Sequence, residues 1–159
     1  MRAFAVWRKI TIPAHAGGED LIGKVRGSGM HVEYWAEALF KTGSIAPRVS
    51  PENVQIIRIR NADFGFQSPL VSIAETKKTG RSLGLRFLTL EEILALRLAY
   101  HDQPLEWLRI AMKTYVDDDG SALDIAIVND GSRRDLRTTW GFEQNVYQLA
   151  HEWFWVLPE

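Results

Sequence analysis

The sequence predicts an α+β fold in which helices pack on a mainly antiparallel sheet. Strand-like and helix-like segments do not alternate regularly, as they would in a doubly wound parallel sheet. The region from about 105 to 140 has the alternation and the turn residues of a three-stranded antiparallel meander. With 159 residues, 46% of them hydrophobic, and no Ser- or Pro-rich linker, the chain predicts one globular domain over residues 1–159.

The N-terminal half predicts two strands, at 3–12 and 54–60, and one helix near 30–41. Ser28 is placed to cap that helix at its N-terminus. Residues 15–29, which hold five glycines, predict mostly loop, with room for one short helical turn. The apolar residues of the helix recur at helical spacing and are expected to face the core: Val32, Trp35, Ala36, Leu39 and Phe40.

A second helix is predicted near 90–100, and it carries the strongest start signal in the chain. Thr89 and Glu92 have the spacing of a capping box, in which each side chain accepts a hydrogen bond from the other residue's backbone amide. Weaker strand signals precede this helix at 70–74 and 83–87.

The meander rests on two predicted two-residue turns, Asp119-Gly120 and Asp130-Gly131. These turns pair Val116 with Leu123 and Ile125 with Leu136, so that apolar residues meet on one face of the sheet. The same register places Trp140 on the inward face. The outward face then carries aromatic and basic side chains: Trp107, Arg109, Lys113 and Tyr115.

The C-terminal tail is open to more than one interpretation. Residues 142–151 fit either a helix or a loop, whereas 151–157 are aromatic enough for a last strand. In that strand Trp153 and Trp155 would share one face, and both faces would be apolar. Either the strand is central and covered on both sides, or one face meets a partner.

Charge and composition exclude several functions. Residues 1–80 carry 11 basic against 7 acidic residues and the remainder 8 against 13, so neither half has the excess of a general nucleic-acid binder. The chain has no cysteine, which removes disulfides, thiol nucleophiles and Cys-ligated metals. No apolar run reaches membrane-spanning length, so we expect no membrane association and a cytoplasmic location. No cofactor, metal site or catalytic constellation is predicted, and an enzymatic role is the minority interpretation.

The leading hypothesis is a non-catalytic intracellular protein that binds another protein, of the kind common among bacterial or phage accessory and inhibitor proteins. The alternatives are a small enzyme or ligand-binding domain for a phosphate-bearing anion, and a weak nucleic-acid binder. The predicted partner-binding residues are Trp153, Trp155, Trp107, Tyr115, Phe64, Phe66, Arg58 and Arg60. For the anion-binding alternative, the residues are Lys24, Arg26, Gly27, Ser28, Gly29 and His31 in and after the glycine-rich segment.

Overall fold

The computed structural model describes residues 3–159. Within them lie four α-helices: α1 (Gly18–Gly27), α2 (Tyr34–Thr42), α3 (Ile73–Ser82) and α4 (Leu90–Ala99). A short 3₁₀ helix lies at Asn61–Phe64, between α2 and α3. The strands are β1 (Arg8–Ile12), β2 (His31–Val32), β3 (Glu52–Arg60), β4 (Leu70–Ser72), β5 (Glu106–Ile110), β6 (Tyr115–Val116), β7 (Ala122–Asn129), β8 (Arg134–Trp140), β9 (Val146–Gln148) and β10 (Glu152–Leu157). None of the described helices is long and apolar enough to cross a bilayer.

The predicted α+β class is confirmed, and the main sheet is mixed rather than purely antiparallel. Its strands lie in the order β1-β3-β10-β5-β7-β8-β2, with β6 also paired to β7, while β4 and β9 form a separate small sheet. The pairs β10–β5 and β2–β8 are parallel, and the other strand pairs of this sheet are antiparallel.

The last strand, β10, lies near the centre of the sheet and is buried on both faces. Phe154 and Val156 belong to one apolar core, which also contains the buried faces of α1, α2 and α4. Trp153 and Trp155 point the other way, into a second core with Ile73 of α3 and Phe64 of the 3₁₀ helix. The strand predicted over 151–157 is therefore confirmed, and of its two interpretations the central, doubly covered strand is right. The preceding segment, 142–151, contains β9 and turns rather than a helix.

The helix near 90–100 is confirmed as α4, including its capping box. The Glu92 amide donates to the Thr89 hydroxyl at 3.2 Å, and the Thr89 amide donates to the Glu92 carboxylate at 2.8 Å. The loop predicted at 15–29 is wrong, because Gly18–Gly27 is helical with Leu21, Ile22 and Val25 buried. Helix α3 was missed, because its polar sequence (IAETKKTGRS) buries only a narrow stripe and the strand signal at 70–74 precedes it directly.

The helix near 30–41 forms, but it begins later than predicted. His31–Val32 is strand β2, and Ser28 lies at the C-terminal end of α1 instead of capping α2. Ala36, Leu39 and Phe40 are buried as predicted. Trp35 is 61% exposed and does not join the core.

The meander β5-β7-β8 is confirmed, but both predicted registers differ from the structure. The segment predicted as one strand to Val116 leaves the ladder after Ile110, and β6 resumes with Tyr115 opposite Leu123. That one-residue shift exchanges the faces, so Tyr115 packs against the first core and Val116 is exposed. In the second hairpin Ile125 pairs with Thr138, a shift of two residues, which keeps every side chain on its predicted face.

Candidate functional site

The two C-terminal tryptophans predicted to bind a partner are buried in the structure. Trp153 and Trp155 are both 0% exposed, because β10 is covered on both faces. Phe64 is also buried, with Phe66 half-buried beside it in the second core. Trp153, Trp155 and Phe64 therefore stabilise the fold and present no surface to a partner.

The basic residues predicted on the same surface are held by carboxylates. Arg58 is bound by Glu106 and Glu152 on neighbouring strands, and Arg60 pairs with Asp63 at 3.0 Å. These ion pairs neutralise the charge that a phosphate backbone would require. Arg109 is fully buried, Tyr115 is half-buried on the opposite face, and Trp107 is 37% exposed. The predicted partner-binding set is not brought together as one surface.

The residues predicted for an anion site in and after the glycine-rich segment do not lie at a helix N-terminus. Gly27 is the last residue of α1, and Ser28 and Gly29 follow it, at the end where the helix dipole presents carbonyl groups and disfavours an anion. The nearby basic side chains also have acidic partners. Lys24 pairs with Asp20, Arg26 with Glu37, and His31 with Asp135.

An exposed aromatic groove lies instead at the end of the sheet formed by β6, β7 and β8. Trp35, which projects from α2, and Trp140, at the end of β8, are 61% and 56% exposed, and both line this groove of about 430 Å³. Leu123 and Thr138 also line it. Tyr34, 73% exposed, meets Trp35 edge-on, with ring centroids 5.3 Å apart. We call this surface the tryptophan groove.

Trp140 is exposed because it lies at the end of β8, beyond the part of the sheet that α2 covers. It lies on the same face of β8 as the buried Leu136, as the sequence predicts, and it pairs across the sheet with Leu123. The buried side chains of α2 cover that face nearer its middle, whereas the end of β8 remains open. The faces of the hairpin were predictable, but the extent of the helix cover was not.

The tryptophan groove has an acidic rim. Asp117 lines it, and its carboxylate accepts hydrogen bonds from the amides of Asp119 and Ser121 at 3.0 and 2.8 Å. Asp118 and Asp119 are exposed on the same loop, and no basic residue within 3–159 pairs with them. The Glu33 carboxylate accepts from the Thr138 amide at 2.8 Å. No basic side chain of the described chain lines the groove, so its electrostatic potential favours a cation.

The opposite face of the same sheet end carries a buried polar cluster centred on Asp124. Its carboxylate accepts from Arg109 at 2.8 Å, from Lys77 at 2.9 Å and from the Thr114 hydroxyl at 2.7 Å. Arg109 also donates to the Tyr147 hydroxyl at 2.7 Å. Burial lowers the pKa of Lys77, while Asp124 opposes that shift. Two cations thus share one buried carboxylate.

His151 lies beside this cluster in a setting that disfavours its charged form. Its ring stacks on Tyr147, with centroids 4.5 Å apart, and Nε2 is buried without a hydrogen-bond partner among the described residues. Burial, reinforced by the positive charge of Arg109, lowers the pKa of His151 from 6.5 to about 4. The imidazole is therefore neutral in the folded protein at pH 7.

We expect the free energy of unfolding to fall as the pH is lowered from 7 to 4. The unfolded chain takes up a proton on His151 near its ordinary pKa, whereas the folded chain does so only near pH 4. Partial exposure of the ring weakens the effect, which we place at roughly 2 kcal/mol between these pH values. Urea unfolding at a series of pH values measures it.

His151→Gln should remove this part of the pH dependence, while His101→Gln, at an exposed histidine, should leave it unchanged. The slope with pH is the relevant quantity, because the substitution itself also changes packing. An unchanged slope in His151→Gln would show that another group carries it.

Among residues 3–159, no three or more histidine, aspartate or glutamate side chains gather in an arrangement that could hold a metal ion. No protein-family model, no curated protein and no solved structure matches this chain.

Proposed function

We propose that the protein is a non-catalytic binding protein that docks on another protein by taking a cationic side chain of that partner into the tryptophan groove. The observation that carries the proposal is the exposure of Trp35 and Trp140 in the lining of one groove that Asp117 also lines. Tryptophan rings attract cations through their electron-rich faces, and tryptophan is enriched at interface anchors. The cytoplasmic location and the accessory or inhibitor role expected from the sequence belong to this proposal.

The chemistry of the groove favours a basic protein segment over a nucleic acid. Asp117, Asp118 and Asp119 would repel a phosphate backbone, whereas they complement the charge of an arginine or lysine. A groove of about 430 Å³ accommodates one or two side chains rather than a folded element. We therefore expect the partner segment to be an exposed strand or loop from which a basic side chain projects into the groove.

The test uses two short peptides of nearly the same shape: acetyl-Gly-Arg-Gly-Arg-Gly-amide and the same peptide with citrulline, whose neutral urea group replaces the guanidinium, in place of arginine. We expect the arginine peptide to shift the indole N–H resonances of Trp35 and Trp140. The citrulline peptide should bind about tenfold more weakly, because it lacks the charge that both the rings and the acidic rim recognise.

Trp35→Ala and Trp140→Ala should each weaken binding of the arginine peptide about fivefold or more, because each removes one ring from the groove. Trp107→Ala is the matched control, since Trp107 is 37% exposed and packs on His151, outside the lining of the groove. Equal binding of the two peptides, or an equal loss in Trp107→Ala, would reject the proposal.

A further inference from the structure

A second pocket, of about 800 Å³, lies on the opposite face of the sheet end from the tryptophan groove. Helix α3 forms one wall. Residues 112–114, which lie between β5 and β6 outside the ladder, form a second wall, and the loop from Gly141 to Gln144 forms the third. We call it the basic pocket. Nothing in the proposed protein-binding role uses it.

Three of the cations that line the basic pocket are unusual within the described chain because they lie in no salt bridge. Between residues 3 and 159, four exposed lysine and arginine side chains lie in no salt bridge, and three of them line this pocket: Lys78, Arg81 and Lys113. The fourth, Lys9, lies far away on β1. The other exposed lysines and arginines of the described chain are paired with carboxylates.

The floor of the basic pocket adds positive charge rather than cancelling it. Lys77 lines the pocket and shares Asp124 with the buried Arg109, so that two cations face one carboxylate. Glu143 is the carboxylate among the lining residues, and it lies near enough to act on the charge of Lys77. The basic pocket is therefore positively charged although the whole chain carries a net charge of −1, and a bound anion would stabilise it.

Two phenylalanines, Phe87 and Phe142, add aromatic surface to the basic pocket. Phe87 lies beneath the Arg81 guanidinium, 5.1 Å from ring centroid to Cζ. Phe142, on the loop wall, is backed by Trp140 in a stacked arrangement with centroids 5.7 Å apart. The first amides of α3 are already bound by the carbonyls of Asn145 and Glu143, so the helix N-terminus contributes no anion-binding groups.

We propose that the basic pocket binds a nucleoside phosphate or a ligand of the same chemistry, a phosphate ester that carries a flat ring. Lys78, Arg81 and Lys113 hold the phosphate, and the ring packs on Phe142. An open cleft of about 800 Å³ is of the size that small ligands occupy. A lipid chain would require an enclosed apolar cavity, and this pocket opens to solvent.

Calorimetric titration with ADP, adenosine, tripolyphosphate and a ten-nucleotide single strand tests the proposal. We expect ADP to bind at least about tenfold more tightly than adenosine, because the phosphates contact the cations. Lys113→Glu should weaken ADP binding by about tenfold or more, and Lys9→Glu, the matched unpaired lysine outside the pocket, should leave it unchanged. Phe142→Ala should weaken ADP but leave tripolyphosphate binding unchanged.

Trp35→Ala separates the two sites, because it removes a wall of the tryptophan groove and does not touch the basic pocket. It should leave ADP binding intact whether or not the groove binds a basic peptide. Equal losses in Lys113→Glu and Lys9→Glu, adenosine binding as tight as ADP, or an oligonucleotide that binds far more tightly than ADP would each overturn the nucleoside phosphate assignment.

Discussion

Asp124→Asn should lower the free energy of unfolding by about 3–5 kcal/mol, the range for breaking a buried ion pair by removing one partner. Asp124 and Arg109 are both 0% exposed, and the carboxylate also binds Lys77. The asparagine has nearly the same shape, but it removes the charge and replaces one accepting oxygen by an NH2 group that faces donors. It leaves Arg109 inside the protein with no counterion, a state that low-dielectric surroundings strongly disfavour.

Urea unfolding followed by tryptophan fluorescence measures the loss. Asp118→Asn is the matched control, since Asp118 is exposed and lies in no salt bridge of the described chain, and it should change stability by less than about 0.5 kcal/mol. Adding Lys77→Met to Asp124→Asn should restore part of the stability, because it removes one of the two uncompensated cations. If Asp124→Asn cost no more than Asp118→Asn, Arg109 would have to find compensation elsewhere, against the observed contacts.

The elements that the sequence predicts well are those whose signals are local. The capping box fixes the start of α4 with two hydrogen bonds between Thr89 and Glu92, which are only three residues apart in the sequence. The alternation in β7 and β8 likewise fixes which side chains share a face, and it survives a two-residue shift of register. Neither signal depends on what other parts of the chain do.

The misses concern contacts between distant segments. Whether Trp155 is buried depends on α3, some 80 residues earlier in the chain. That helix was not predicted, because its sequence is mostly polar. The pairing of β5 with β7 ends near Ile110, while the next amide, that of Ala111, still donates to the Phe154 carbonyl of β10, a strand much later in the chain. An apolar pattern indicates that a tryptophan prefers burial, but it does not show which tryptophan the fold covers.

The candidate sites were missed for the same reason. Trp35 has core-like spacing on its helix, and Trp140 lies on the predicted inward face, yet both extend past the packed region. The sequence does not show that Lys78, Arg81 and Lys113 lie in no salt bridge either. That depends on which carboxylates the fold brings near them, and those carboxylates come from distant parts of the chain. The counts of charge along the chain gave a weakly basic first half, yet two of these three cations, Arg81 and Lys113, lie in the acidic second half.

Gly80→Ala and Gly23→Ala should change stability in opposite directions, although each places the same methyl group in the interior of an α-helix. Gly23 lies in α1 with open space around it, so alanine should stabilise the protein by up to about 1 kcal/mol through its better helix propensity. Gly80 lies in α3 against Trp155. A methyl carbon built there would lie 2.3–2.8 Å from three atoms of the indole ring, far inside van der Waals contact.

The indole cannot move aside easily, because Trp155 is fully buried between Phe64 and Phe87, with ring centroids 6.1 and 5.6 Å away. We therefore expect Gly80→Ala to cost about 3 kcal/mol, at the upper end of the range for overpacking a core. Trp155→Phe removes much of the ring that the methyl group meets. Gly80→Ala should consequently cost less in the Trp155→Phe background than in the natural chain, and the double-mutant cycle measures that coupling. A stabilising Gly80→Ala, or a cycle with no coupling, would mean that α3 does not pack on Trp155, and the wall of the basic pocket that this contact positions would have to be placed anew.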